Sequence, residues 1–125
     1  MNLLLDTHVL IWVFSQDPRL SHTAREVIRD GHNLVFVSAA TAWEIAIKKA
    51  LGKLKAPDNY QEGLRRYRFT PLDITTEHAL AVEHLPPHHK DPFDRMLIAQ
   101  ARIERLTLVT HDPNIRAYGI PILET

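Results

Sequence analysis

The sequence contains no cysteine among its 125 residues. That absence excludes disulfide scaffolds, zinc sites built on thiolates, iron–sulfur clusters and thiol nucleophiles. Neither sign of charge is in excess, because 15 lysine and arginine residues balance 15 aspartate and glutamate residues. The whole chain therefore gives no electrostatic argument for nucleic-acid binding, and any such argument must come from local patches.

Long apolar runs are also missing. The longest uninterrupted one, Val9–Phe14, is far short of the ~20 residues that a membrane-spanning helix needs. The beginning of the chain has neither the basic segment nor the long apolar segment of a signal peptide. We therefore expect no membrane association and a cytoplasmic protein.

What is present is an ordinary globular composition, with 45% apolar and 24% charged residues. The length predicts a single domain over residues 1–125. Short apolar runs alternate with longer helical segments. This alternation predicts an α/β fold, a three-layer α/β/α sandwich with a short, mostly parallel central sheet.

The predicted strands are Asn2–Leu5, Leu34–Val37, Phe69–Leu72, Leu106–Thr110 and Ile120–Leu123. The predicted helices are Thr7–Phe14, Ser21–Asp30, Ala39–Leu51, Asn59–Tyr67, Thr76–His84 and Pro92–Glu104, followed by one or two helical turns at Pro113–Tyr118.

Four acidic side chains occupy comparable places in this pattern. Asp6 and Asp112 directly follow strands, Glu44 lies in the helix after the second strand, and Asp94 lies in the first turn of a helix. Ligands of open α/β sheets bind outside the carboxyl ends of the strands. We therefore expect these carboxylates to converge at one edge of the sheet.

Helix capping is the simpler explanation for most of these acids. Asp6 can cap a helix, and Asp112 and Asp91 each precede a proline at the favoured first helical position. Glu44 is the exception: if Ser38 caps its helix, Glu44 is the sixth residue, beyond the free backbone amides. An ion pair with Lys48, four residues on, is its alternative role.

Taken together, four converging carboxylates repel one another and favour a bound cation. Ligand sets that contain only oxygen favour hard ions such as Mg²⁺ or Mn²⁺. Such ions polarise phosphoryl oxygens and lower the pKa of a bound water, which suits them to phosphate chemistry.

Four segments carry a family resemblance: Leu4–His8, Val37–Ile45 (VSAATAWEI), Asp91–Ala101 (DPFDRMLIAQA) and Leu108–Asp112 (LVTHD). Together, in this order, the chain resembles the PIN-domain ribonucleases, and within them the VapC-type toxins of toxin–antitoxin pairs. The resemblance covers the whole chain and implies a PIN-like nuclease domain. It also implies Mg²⁺- or Mn²⁺-dependent hydrolysis of RNA by a bound water, homodimerisation, and inhibition by a cognate antitoxin. The family's acidic quartet, which holds the metal and carries catalysis, corresponds to Asp6, Glu44, Asp94 and Asp112.

Further residues are expected to support this site. The hydroxyls of Thr7 and Thr110 lie beside the acids and could equally be local caps, but the resemblance favours them as groups that orient the acids. Asp91 is expected to cap its helix or to orient the ligands. The segment 48–68 holds seven basic residues against two acidic ones. Its lysines Lys48, Lys49 and Lys53 are expected to contact the RNA backbone, against the alternative of a solvated helix face. Arg95 is a further candidate phosphate contact, although an ion pair with Asp91 is favoured for it.

The aromatic residues and histidines have simpler interpretations. The first helix is apolar nearly all round, so Trp12 belongs either to the core or to the edge of a partner-binding groove. Trp43 and Ile47, one helical turn apart, are expected to face the core. The eight histidines show no zinc-binding spacing, and we expect surface or packing roles for them.

Two other functions remain open on the residues alone. In an aspartyl-phosphate phosphohydrolase Asp6 would be the nucleophile, but that chemistry needs a second aspartate at position 8, where this chain has histidine. In a non-catalytic partner-binding α/β module the acids would be helix caps only. Binding of Mn²⁺ separates that module from a nuclease.

Overall fold

A computed structural model describes all 125 residues. Its strands are β1 (Asn2–Leu5), β2 (Leu34–Ser38), β3 (Thr70–Leu72), β4 (Thr107–Thr110) and β5 (Ile122–Glu124). Its helices are α1 (Thr7–Ser15), α2 (His22–Arg29), α3 (Ala39–Ala50), α4 (Tyr60–Arg66), α5 (Thr76–Ala81) and α6 (Pro92–Glu104), with 3₁₀ helices at Val82–His84 and Pro113–Tyr118. No helix combines the length and apolar character needed to cross a membrane.

The strands form one sheet in the order β3-β2-β1-β4-β5, and every neighbouring pair is parallel. In the register, Leu3 lies opposite Val35 on β2, and Leu4 lies opposite Leu108 on β4. The predicted α/β sandwich is confirmed, and the sheet is parallel throughout. Strand β1 is central, with β2 on one side and β4 on the other, so the strand order reverses at β1. The crevice at the carboxyl end of β1 is therefore a natural binding position.

Alternating side chains of β1 divide the core into two layers. Leu3 and Leu5 point to one face and pack with residues of α1, α2 and α4, whereas Leu4 points to the other face and packs with α6. A strand buried on both faces reads as a continuous apolar run, which is why Leu3–Leu5 shows no alternation.

Helix α4 approaches α1 closely at Gly63. A Cβ atom there would lie 2.7 Å from Cζ of Phe14. The Phe14 ring also stacks on Tyr67, with centroids 5.8 Å apart, and meets Tyr60 edge-on at 6.2 Å. The missing side chain at position 63 thus leaves room for this aromatic cluster.

The predicted helix Thr76–His84 changes character after Ala81, where it tightens into the 3₁₀ helix Val82–His84. The two prolines that follow Leu85 cannot continue an α-helix. At the other end of the chain, β5 begins at Ile122, two residues after the predicted start. Gly119, with φ of 69°, and Pro121 instead form the turn that leads into it.

The prediction that Trp43 and Ile47 face the core is wrong for Trp43, which is 60% exposed; Ile47 is half-buried. The buried face of α3 instead contains Thr41, Glu44 and Ile45. The polar side chain of Glu44 occupies the inward position, so hydrophobicity alone selects the wrong face of this helix.

Candidate active site

A cleft of about 450 Å³ opens at the carboxyl ends of β1 and β4. Three of the four predicted acids line it, and most of the other residues in its wall are aromatic or histidine side chains. The lining residues are Asp6, His8, Trp12, His89, Asp94, His111, Asp112 and Pro113.

Asp6 is the N-cap of α1 and is buried in the wall of the cleft. One carboxylate oxygen accepts the Val9 N–H at 3.0 Å, and the other accepts the Thr110 hydroxyl at 2.6 Å. Burial raises the pKa of Asp6 despite these two bonds, which act in the opposite direction. Capping and a place in the cleft are therefore combined in one residue.

Thr110 connects Asp6 to Asp112. While its hydroxyl donates to Asp6, its oxygen accepts the Asp112 N–H at 3.0 Å. Asp112 in turn caps the 3₁₀ helix Pro113–Tyr118 by accepting the Asn114 N–H at 2.9 Å. Thr110, which is expected to orient the acids, thus contacts both of these residues.

Glu44 is only 4% exposed and lies behind the cleft wall. Its two carboxylate oxygens accept the Thr7 hydroxyl at 2.6 Å and the Lys48 ammonium at 2.5 Å. Ser38 caps α3, so Glu44 is the sixth helical residue and has no capping role. Its hydrogen bond raises the pKa of Lys48.

Asp94 lies in the first turn of α6, which Asp91 caps by accepting the Phe93 N–H at 2.8 Å and the Asp94 N–H at 3.3 Å. Burial, followed by the neighbouring charge of Asp91, raises the pKa of Asp94 to about 7. The charges of Asp6 and Glu44 make smaller contributions to this rise, and His89 acts in the opposite direction. The charges of Asp6 and Glu44 therefore act on Asp94, and Asp112 lines the same cleft as Asp6 and Asp94.

His89 belongs to this cluster, although its spacing in the sequence gave no indication of it. Its Nε2 lies 2.8 Å from Oδ2 of Asp112 and 3.1 Å from Oδ2 of Asp94. His89, Asp94 and Asp112 therefore place one potential ligand atom each within 4.8 Å of one another. The expected surface or packing role does not describe this histidine.

The four predicted phosphate contacts lie in different surroundings. Lys48 is at the rim of the carboxylate cluster, where the charges of Asp91 and Asp94 also act on it. Lys49 pairs with Asp58 at 2.6 Å, and Lys53 is exposed in the turn after α3.

Arg95 differs from both expectations for it. Its guanidinium donates to the backbone carbonyls of Pro86 and Val82, each at 2.9 Å, instead of pairing with Asp91. The favoured Asp91–Arg95 ion pair is absent because the preceding loop offers the guanidinium several carbonyls in one place. With its donors bound inside the protein, Arg95 is poorly placed to reach a phosphate.

Of the two positions expected for Trp12, the core or the edge of a groove, the free protein shows the core, because the side chain is buried. Its ring meets His111 edge-on with centroids 5.2 Å apart, and the Arg19 guanidinium lies 5.1 Å from the ring centroid. It belongs to the core and also forms part of the cleft wall.

The chemistry of the cleft fits a hard divalent cation. Asp6, Asp94 and Asp112 offer carboxylate oxygens to a common space, and no thiolate is available. Burial, and after it the neighbouring charges of Asp91, Asp6 and Glu44, raises the pKa of Asp94, so that its ionised form is costly when no cation offsets the charge.

Comparison with known proteins assigns a family to this architecture. Residues 3–121 match the family model described as PIN domain. Ribonuclease VapC22 of Mycobacterium tuberculosis is 31% identical over 94% of this chain and 92% of the relative. Ribonuclease VapC16 of the same organism is 39% identical over 49% of each, so that match spans about half the length of the relative.

Solved structures share the fold. VapBC2 from Rickettsia felis, solved bound to a promoter DNA fragment, superposes with a TM-score of 0.73 at 16% identity, over 99% of this chain and 98% of the other. A toxin–antitoxin complex from Klebsiella pneumoniae gives a TM-score of 0.65 at 25% identity, over 97% and 95%.

Proposed function

This chain belongs to the PIN-domain family, and to its VapC-type members, and from that premise we propose that it is a metal-dependent endoribonuclease. The reaction is hydrolysis of RNA phosphodiester bonds by a metal-activated water, within a single nuclease domain that spans residues 1–125. The two curated relatives are named as ribonucleases, which supports RNA as the substrate.

The observation that carries this proposal is the electrostatic state of the cleft. A carboxyl group with a pKa near 7, surrounded by further acids, is costly to ionise unless a cation binds. Helix caps alone do not explain Glu44, which is buried among these acids and caps nothing.

The roles follow from the contacts. Asp6, Asp94 and Asp112 would hold the Mg²⁺ or Mn²⁺ ion, which would supply polarisation of a phosphate oxygen and a lowered pKa for a bound water. Thr110 orients Asp6 through its hydroxyl and fixes the backbone of Asp112. Asp91 orients the first turn of α6 and therefore Asp94.

Glu44 acts from the back of the site, as a ligand or as a base that orients the attacking water. Thr7 and Lys48 fix its two oxygens, so its carboxylate cannot rotate freely. Lys48 also supplies positive charge at the rim of the acidic cleft.

RNA approaches along the basic segment that begins in the last turn of α3. Lys53 is exposed and would contact the phosphate backbone directly, whereas Lys48 and Lys49 are paired with Glu44 and Asp58. Such contacts would provide affinity without sequence specificity. We expect the enzyme to act in the cytoplasm, where its substrate is.

We further propose a cognate antitoxin and a second copy of this chain as partners. The similarity to a structure described as a toxin–antitoxin complex supports the antitoxin. Support for the homodimer comes from the exposed Trp43, which forms an edge-to-face pair with Phe93 at 5.3 Å on the surface near the site.

Cleavage of a single-stranded RNA, measured with Mg²⁺, Mn²⁺ or EDTA, tests the proposed reaction. We expect cleavage by the wild-type protein with either metal, none with EDTA, and none by Asp6→Asn or Asp94→Asn. Glu44→Gln should lower the rate by about 10²-fold or more.

Asp30→Asn provides a matched control, because Asp30 lies at the exposed end of α2. It should cleave at the wild-type rate. Cleavage by Asp94→Asn at the wild-type rate, or full activity in EDTA, would contradict the proposed site.

A further inference from the structure

The loop before α6 is fixed to the body of the protein through its backbone. The Arg95 guanidinium donates to the carbonyls of Leu85 at 3.1 Å, His89 at 3.3 Å, and the two carbonyls described above. The Tyr118 hydroxyl accepts the His89 N–H at 2.8 Å. A segment with two consecutive prolines and no regular structure is thereby held in one conformation around position 89.

This anchoring places the His89 ring between two acids, where its side chain is 16% exposed. Nε2 faces Oδ2 of Asp112 and Oδ2 of Asp94. On the other side of the ring, Nδ1 faces the Asp91 N–H at 3.1 Å. All three neighbours of the ring nitrogens are thus defined.

The Asp91 N–H determines which nitrogen carries the proton. A backbone N–H can only donate, so Nδ1 must accept with its lone pair, and the ring proton is on Nε2. Nε2–H then donates to Oδ2 of Asp112 at 2.8 Å and lies 3.1 Å from Oδ2 of Asp94, within ion-pair distance. If Nε2 bound a metal instead, the proton of the neutral ring would move to Nδ1 and oppose the Asp91 N–H.

We propose that His89 is a positioning residue that holds the Asp94 and Asp112 carboxylates together through Nε2–H and does not itself bind the metal. The inference rests on the proposed function, because it assigns these acids to a metal site. Hydrogen bonds to ligating carboxylates fix their orientation, and loss of such a partner typically costs 10–100-fold in metal affinity.

Mn²⁺ binding by three variants tests this role. His89→Phe removes both polar atoms of the ring, and we expect its Mn²⁺ dissociation constant to rise about 10-fold or more. His89→Gln keeps an N–H donor near the position of Nε2 and should recover most of that loss. His88→Phe makes the same change at the exposed neighbouring histidine and should bind Mn²⁺ like the wild type.

Two spectroscopic measurements separate positioning from ligation. Pulsed electron paramagnetic resonance of Mn²⁺ bound to the wild-type protein should show no directly coordinated imidazole nitrogen. In the metal-free protein, ¹⁵N magnetic resonance should show His89 protonated on Nε2 and unprotonated on Nδ1, and thermal unfolding should confirm that each variant is folded.

A directly coordinated nitrogen that disappears in His89→Phe would make His89 a ligand and overturn the proposal. Unchanged Mn²⁺ affinity in folded His89→Phe, or a proton on Nδ1, would also overturn it. Wild-type protein that binds Mn²⁺ in a His89-dependent way but cleaves no RNA would refute the proposed function alone. Absence of Mn²⁺ binding by the wild type would refute both.

Discussion

At the scale of single residues, Asp94 shows most clearly that the acidic site opposes folding. In the unfolded chain its carboxyl group has an ordinary pKa of 3.8, and in the folded protein that pKa is about 7. At pH values between these two pKa values, the Asp94 carboxyl group keeps its proton in the native state and has lost it in the unfolded state. The free energy of unfolding therefore falls as the pH rises through this window and stays lower above it.

Asp94→Asn should remove this pH dependence, since the amide carries no charge at any pH. In EDTA, the free energy of unfolding of the variant minus that of the wild type should grow by about 1–2 kcal/mol from pH 5 to pH 8. This figure allows for the 22% exposure of the Asp94 side chain. Urea unfolding of both proteins at the two pH values measures the effect. A difference in stability that does not vary with pH would contradict the raised pKa.

Some residues of the candidate site can be predicted from the sequence, and others cannot. Asp6 and Asp112 follow strands, and Glu44 lies too far into its helix to cap it, so local reasoning identifies them. His89 cannot be found in this way. Its position depends on Arg95 and Tyr118, which hold the loop from other elements.

At the scale of elements, capping residues and prolines predict where helices begin and end. Hydrophobicity is a poorer guide to which face of a helix is buried. Helix α6 begins and ends as predicted because Asp91 caps it, Pro92 is its first residue, and Arg105 ends it in a left-handed conformation with φ of 58°. Helix α3 begins as predicted, but its faces do not follow hydrophobicity. The buried face carries the polar Glu44, and Trp43 is exposed.

An exposed tryptophan on α3 is expected to be covered in the proposed homodimer. Trp43→Gln should weaken dimerisation by about 30-fold, the equivalent of 2 kcal/mol for a tryptophan central to an interface. The stability of the monomer should change by less than about 0.5 kcal/mol, because the side chain is exposed. Sedimentation equilibrium measures the first quantity and urea unfolding the second.

Leu51→Gln is the matched control, since Leu51 is 62% exposed at the end of the same helix. It lacks an aromatic neighbour such as Phe93 and should dimerise nearly as the wild type does. Equal dimer affinities for Trp43→Gln and the wild type would place the interface elsewhere. A monomeric wild-type protein would refute the homodimer itself.

At the scale of the whole molecule, the neutral total charge conceals two regions of opposite sign. The acidic cleft lies at the carboxyl edge of the sheet. The lining of a second cavity, of about 250 Å³ and next to the point where β3 begins, includes Arg25, Arg29, Arg66 and Arg68. Composition cannot reveal this separation, because it arises from the strand order and not from the residue counts.

The acidic cleft also predicts how an antitoxin and a metal ion affect each other. A partner that extends an arginine into the cleft would offset the same carboxylate charges that the metal offsets, and its planar guanidinium can bind two carboxylate oxygens at once. The two cations then compete.

With Mn²⁺ at ten times its own dissociation constant, the antitoxin should bind the wild-type protein about tenfold more weakly. The effect should largely disappear in Asp94→Asn, where the metal site is impaired. Titration calorimetry with and without Mn²⁺ measures both affinities. An antitoxin affinity that is independent of Mn²⁺ in the wild type would mean that no cationic group of the partner enters the cleft.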